Sequence, residues 1–144
     1  MPIFALKSSW FQGFLISVGG GLLRIGIDIV DIDRIEAVVI RTPRFLNRVF
    51  SKQELDYCLA KRNPYPSLAV RFAAKEAVRK LDEGFCRGIR FNDVEVGILD
   101  GGRPELILHA GALVRAQEMG ISRWEISLAH SRGQAVAAVI AYGE

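Results

Sequence analysis

At 144 residues, half of them apolar, the chain is long enough for one domain with a filled core and too short for two. Its 19 Lys and Arg against 16 Asp and Glu leave a formal charge of +3, a mild excess that points to a local basic patch more readily than to a wholly basic nucleic-acid binder. Two cysteines, Cys58 and Cys86, imply no disulfide framework and read as buried thiols of a reducing, cytoplasmic compartment.

Residues 1–21 stand apart. Lys7 followed by "WFQGFLISV" is similar to a signal-peptide core, but the apolar run is short, Gln12 interrupts it, and no small-x-small pattern precedes Gly19, Gly20 and Gly21. The expectation is an extension over 1–21 that packs on the body or on a partner, or is poorly ordered, ahead of a single domain over 22–144. No other segment approaches a membrane span.

In "LLRIGIDIV", Ile25, Ile27 and Ile29 alternate with Arg24, Gly26 and Asp28, which predicts a strand with one apolar face and Asp28 on the other. Asp33 and Glu36 have capping-box spacing for a first helix that ends or bends at Pro43. Ser51 and Glu54 repeat the signal for a second helix to about Lys61, and "NPYP" after it reads as a rigid connector. Ser67 is expected to cap the longest helix, which runs to about Leu81, with Ala69, Ala73 and Ala77 allowing a close approach to whatever lies on them. Strands follow at "FNDVEVGIL" and "PELIL", joined by a turn at Asp100–Arg103. A helix from Ala110 stops at Gly120 as a left-handed cap, and "WEISLAH" and "AVAAVIAY" read as the final strands. Helices in the first half and strands in the second predict an α+β fold, an antiparallel sheet packed against a long helix.

Glu76 lies four residues after Phe72 and three after Ala73, on the packing side of that helix, where a carboxylate must be paired or liganded. Two readings stand: an intrahelical pair with Lys80, or a metal ligand completed by Asp28, whose place in an Ile-rich strand otherwise has only a loop-capping role to justify it. Two carboxylates with open water positions suit Mg²⁺ and not zinc, since His109 and His130 sit in no ligand-dense cluster. Arg71, Lys75 and Lys80 are available to neutralise phosphates, while Lys75 and Arg79 have solvent as the alternative. Between Arg34 and Lys52, five cations (Arg34, Arg41, Arg44, Arg48, Lys52) face one acid, Glu36, a patch fitted to an acidic partner. Phe45 and Phe50 nearby are spaced as core contacts and not as a base-stacking ladder.

The combination of "IGIDIVDIDRI", "RFAAKEAVRK", "RPEL" and "ISLAH" resembles holo-acyl-carrier-protein synthase, the small bacterial class of 4'-phosphopantetheinyl transferases, over about residues 24–141. The resemblance implies transfer of the phosphopantetheine arm of coenzyme A to a serine of apo-acyl carrier protein, with release of adenosine 3',5'-bisphosphate. It implies Asp28 and Glu76 as ligands of Mg²⁺ or Mn²⁺ and Lys80 on the diphosphate, all three catalytic. It further implies Arg71, His130 and the loop containing Gly84 near the coenzyme. Arg34, with Arg41, Arg44 and Arg48 extending its surface, would hold the carrier protein. A homotrimer with sites between subunits is implied too, with neither nucleic acid nor membrane as partner. Glu76, directly or through a water it orients, would take the serine proton.

The chain departs from that family in its leader, since typical members begin almost at the strand holding Asp28, and in one loop. After the lysine motif, where a Gly-Thr-Gly run is usual, "LDEGFCRG" brings Asp82 and Glu83 to a place where desolvated acids would oppose a pyrophosphate. That departure motivates an alternative reading, a catalytically impaired module that binds carrier protein or another acidic partner.

Overall fold

The computed structural model describes residues 14–18 and 21–143. Expectations for residues 1–13 and 19–20 lie outside them. Among the described residues no helix is long and apolar enough to cross a membrane.

Strand β1 (Phe14–Val18) pairs antiparallel with β2 (Gly21–Asp31), so part of the leader joins the sheet. Then come helices α1 (Ile32–Arg41), α2 (Phe45–Val49), α3 (Lys52–Leu59) and α4 (Tyr65–Arg79), two 3-10 turns (Glu83–Cys86 and Phe91–Asp93), strands β3 (Val94–Ile98) and β4 (Pro104–Leu108), helix α5 (Ala110–Glu118), and strands β5 (Arg123–His130) and β6 (Gln134–Tyr142). All pairings are antiparallel: a four-stranded sheet in the order β1-β2-β6-β5 and a two-stranded sheet β3-β4. This is the α+β architecture expected, with α4 as the long helix on the sheet.

Several local details differ from the sequence expectations. Helix α1 begins at Ile32, with Asp31 at its N-cap making no side-chain cap bond; Asp33 instead places its charge in the first turn, favourable to the helix dipole. The Ser51–Glu54 capping box is present in both directions, at 3.2 and 2.8 Å. The "NPYP" segment is partly helical: α4 starts at Tyr65, because Pro66 in its first turn lacks only an N–H that has no intrahelical partner there. Ser67 is therefore a buried residue inside α4 and not its cap. Phe91–Asp93 forms a turn before β3, and Gly120 closes α5 at φ +72°.

The alternation in β2 is real, but its exposure runs opposite to hydrophobicity. Ile27 and Ile29 are 59% and 58% exposed, while Gly26 is buried on the face that also carries Asp28 and Val30. The cause is Gly26. A Cβ built there would lie 2.0 Å from the Ala77 carbonyl oxygen, so α4 crosses β2 in backbone contact. Ala69, Ala73 and Ala77 are fully buried along that approach, and Ala135, Ala137, Val139 and Ala141 of β6 continue the same small-residue floor.

Around α4 the core divides in two. Its first half packs with α1, α2 and α3 through Leu68, Phe72, Phe45 and Phe50; its second half packs with the sheets and α5 through Val78, Leu81, Phe85 and Val96. Phe45 meets Phe50 edge-on at 6.0 Å, as core contact, and Phe72 stacks on Phe91 at 5.8 Å. Both cysteines are free. Cys58 is buried, which pushes its thiol pKa up, but Cys86 is exposed, contrary to the expectation of two buried thiols.

The Gly26 crossing yields a direct test. Gly26→Ala forces α4 off β2 and is expected to destabilise by about 3 kcal/mol or more, lowering Tm by roughly 10 °C in calorimetry. Gly133→Ala, where an added Cβ meets nothing within 4 Å, should leave Tm nearly unchanged.

Candidate active site

Every residue from Ser67 to Val78 is buried, so α4 is enclosed on all sides. A helix in that setting is ordinarily apolar all round, yet this one carries Ser67, Arg71, Lys75 and Glu76. At 3.6 residues per turn these fall on two stripes: Ser67, Arg71, Lys75 and Arg79 on one, Phe72, Glu76 and Lys80 on the next. Each buried polar group needs a partner, and the two stripes find theirs in different places.

The second stripe meets β2. Lys80 Nζ donates to Asp28 Oδ1 at 2.7 Å and to the Ile27 carbonyl at 3.0 Å. The lysine side chain is 34% exposed and the aspartate 14%, so the contact lies at the mouth of the α4–β2 crossing. Glu76 stands one turn before Lys80, 4% exposed, on the flank of α4 next to Ala77, which sits on Gly26. Three residues selected from two distant motifs therefore share one crossing. Lys80, offered by its spacing to Glu76 within the helix, is bonded to the aspartate across the fold. Oxygen donors dominate the place: the carboxylates of Asp28 and Glu76 and the Ile27 carbonyl, a hard set that fits Mg²⁺ or Mn²⁺ by donor chemistry. No group of three or more His, Cys, Asp or Glu side chains with metal-ligand placement occurs among the described residues.

The first stripe turns toward α3 and β3. Arg71 is 5% exposed, donates to the Ser67 carbonyl at 3.1 Å, and lies 4.6 Å over the Tyr57 ring, which Lys61 also approaches at 4.5 Å. Lys75, considered above for phosphates or solvent, contacts neither: it is 1% exposed and ion-paired with Glu54 at 2.8 Å. Burial pulls its ammonium pKa down, and the Glu54 carboxylate opposes the shift. Sequence reading missed this pair, since Glu54 was legible only as a capping-box acid and nothing local ties it to a lysine 21 residues on.

The altered loop is accommodated. Asp82 Oδ2 accepts from Arg24 at 2.9 Å, and its Oδ1 accepts the Gly84 N–H at 2.8 Å, capping the 3-10 turn. Both oxygens are thus engaged, and Glu83 is exposed. Gly84 lies against Arg115, whose Cδ would be 3.1 Å from an added Cβ. Arg24 was legible only as a polar residue of β2; its role depends on the loop folding back over the strand.

The remaining candidates are spread out. His130 ends β5 on the same sheet face as Asp28, since Ala137 pairs with both Asp28 and Leu128. With strands ~4.8 Å apart and a rise of ~3.4 Å, its Cα lies roughly 12 Å from that of Asp28. Its Nδ1 is 3.3 Å from the Ser131 carbonyl, and the residue is exposed. Arg34, Arg41, Arg44 and Arg48 are all exposed along α1, α2 and the turn between them, whereas Lys52 is engaged by Asp56 at 2.9 Å.

Residues 24–140 match the model of the 4'-phosphopantetheinyl transferase superfamily. The holo-[acyl-carrier-protein] synthase of Moorella thermoacetica is 45% identical over 120 residues, 83% of this chain and 93% of that protein. Among solved structures, holo-[acyl-carrier-protein] synthase of Helicobacter pylori in complex with coenzyme A superposes at a TM-score of 0.68 with 31% identity, covering 81% of this chain and 98% of that one. The holo-ACP-synthase of Plasmodium yoelii does so at 0.72 with 25% identity, covering 92% and 98%. With the motif residues Asp28, Glu76 and Lys80 gathered at one helix–strand crossing, and the match extending over most of the chain, the protein belongs to the 4'-phosphopantetheinyl transferase superfamily.

Proposed function

We propose that the protein transfers the 4'-phosphopantetheine moiety of coenzyme A to a serine of an apo-acyl carrier protein, releasing adenosine 3',5'-bisphosphate. The observation that carries this reading is the Lys80–Asp28 contact at the α4–β2 crossing, with Glu76 one turn away, inside the region matched to the superfamily.

Asp28 and Glu76 would hold Mg²⁺ or Mn²⁺. Bound there, the ion supplies positive charge to pyrophosphate oxygens. Glu76 accepts the proton of the incoming serine hydroxyl. The serine oxygen then bonds to the β-phosphorus of coenzyme A, and the bond from that phosphorus to the bridging oxygen breaks. Lys80 shifts from Asp28 to the departing bisphosphate, where its ammonium offsets charge through a bond about twice as strong as a neutral one. Arg71, His130 and the Gly84 loop are assigned to the coenzyme side. Arg34, Arg41, Arg44 and Arg48 form the surface that attracts the acidic carrier protein.

A homotrimer belongs to the same reading. Its support is the outer face of the sheet, where Ile27, Ile29 and Ile140 are exposed and a second copy of the chain would cover them. Each isoleucine so buried contributes about 1.5–3 kcal/mol. Cytoplasmic location is inferred from the two free cysteines. The alternative, an impaired binding module, drew its motive from Asp82 and Glu83. With Asp82 paired to Arg24 and Glu83 turned to solvent, that motive is removed and the enzyme is favoured.

The test is a mass-shift assay. Apo-carrier protein with coenzyme A should gain the phosphopantetheine mass in the presence of Mg²⁺ or Mn²⁺ and not after chelation. Asp28→Ala and Glu76→Ala should each lower kcat/KM by about a hundredfold or more, a loss of at least ~2.7 kcal/mol of transition-state stabilisation, with circular dichroism unchanged. Near-normal turnover in either variant would remove the metal assignment.

For the docking surface, Arg34→Glu with Arg44→Glu should raise KM for carrier protein by roughly tenfold while leaving KM for coenzyme A within about twofold, and the gap should narrow in high salt. Equal penalties on both substrates would contradict the assignment.

A further inference from the structure

The Lys75–Glu54 pair is a buried polar cluster with every donor and acceptor engaged. Lys75 Nζ donates to Glu54 Oε1 at 2.8 Å, to the Phe91 carbonyl at 3.3 Å and to the Val94 carbonyl. That accounts for all three ammonium protons. Glu54 Oε1 also accepts the Ser51 N–H at 2.8 Å, and Oε2 accepts the Val96 N–H at 3.1 Å. Neither side chain has any exposed surface. One lysine thus ties α4 to α3, to the turn before β3 and to β3 itself.

An ion pair in this position is not needed for stability, because well-packed apolar side chains of similar volume commonly do as well or better. What it adds is direction. On the opposite side of α4, about 200° round from Lys75, Ala73 and Ala77 lie on Gly26 and on the alanines of β6. Methyl groups on a glycine floor fix how close the helix comes, but they interdigitate little and leave its roll weakly defined. The far side, where Lys75 makes three directional bonds beside the packing of Leu68 and Phe72, is where the roll is most sharply defined.

We infer that Lys75 and Glu54 are positioning residues: they set the roll of α4, and through it the placement of Glu76 and Lys80 against Asp28. A carboxylate at the ~5–6 Å edge of a helix moves by ~1 Å for a roll of about 10°. A misplacement of that size costs on the order of a hundredfold in rate. The inference rests on the transferase reading for its kinetic consequence, but not for its geometry.

The test is the double variant Lys75→Met with Glu54→Gln, which removes both charges together and leaves no buried ion unpaired. Folding is followed by circular dichroism and Tm, the reaction by kcat and both KM values, and the roll of α4 by a crystal structure. Expected are a folded protein, KM values within about twofold, kcat reduced roughly 10- to 100-fold, and the 2.7 Å Lys80–Asp28 bond broken or lengthened. An unchanged roll with wild-type kcat would overturn the inference, the pair then being structural only. If the wild type itself transfers nothing, the transferase reading falls, and the roll seen in the crystal still decides the positioning claim. Should the double variant not fold, Glu54→Asp, which keeps both charges and draws the acceptor back by one methylene, is read by the same two measurements.

Discussion

The fold depends on a backbone-to-backbone contact. Because Gly26 has no side chain, the Ala77 carbonyl can rest where a Cβ would be, and α4 lies closer to β2 than any other residue at that position would permit. Burial of α4 on all sides follows, with the sheet beneath, α1 to α3 around its first half, and β3, β4 and α5 around its second. The same contact brings the mouth of the crossing, where Asp28 meets Lys80, to a partly desolvated place in which charge interactions are stronger than in water.

Ion pairs in the molecule sort by burial, and their roles follow. Lys52–Asp56 is exposed on α3 and contributes little, as such surface pairs do. Arg24–Asp82 is half-buried and holds the loop after α4 to the strand that carries Asp28, so the acid that the loop introduces is neutralised within the same chain. Lys80–Asp28 is partly open to solvent at the mouth of the crossing. Lys75–Glu54 is closed to solvent and bonded on every side. A single helix therefore supplies one lysine closed to solvent and another, five residues on, that remains open to it.

Beside them, Glu95 shows how the closed cluster is extended. Burial alone would push its carboxyl pKa up, yet bonds from Ser51 and His109 hold it below the usual carboxylate range, and His109 Nε2 lies 3.1 Å from its Oε1. His109 is also the N-cap of α5, so the network reaches from α3 through β3 to the half-exposed start of that helix.

Local sequence determined the elements whose causes are local. The strand at "IGIDIV", the reciprocal Ser51–Glu54 cap, the turn at Gly101–Gly102 and the stop at Gly120 were legible because each depends on residues within one turn or one strand. The motifs around Asp28 and Glu76 also pointed to the superfamily, whose model matches residues 24–140. Tertiary structure alone decided which face of β2 is covered. Hydrophobic alternation marks two faces but does not say that a glycine will admit a helix to the less apolar one, leaving Ile27 and Ile29 outside. It alone turned Lys75 inward and Lys80 toward Asp28, though both stand on one helix within five residues. Partners 21 and 52 residues away chose between them, and contacts at that range leave no periodicity in the sequence, because residues so far apart along the chain are neighbours only in the folded molecule.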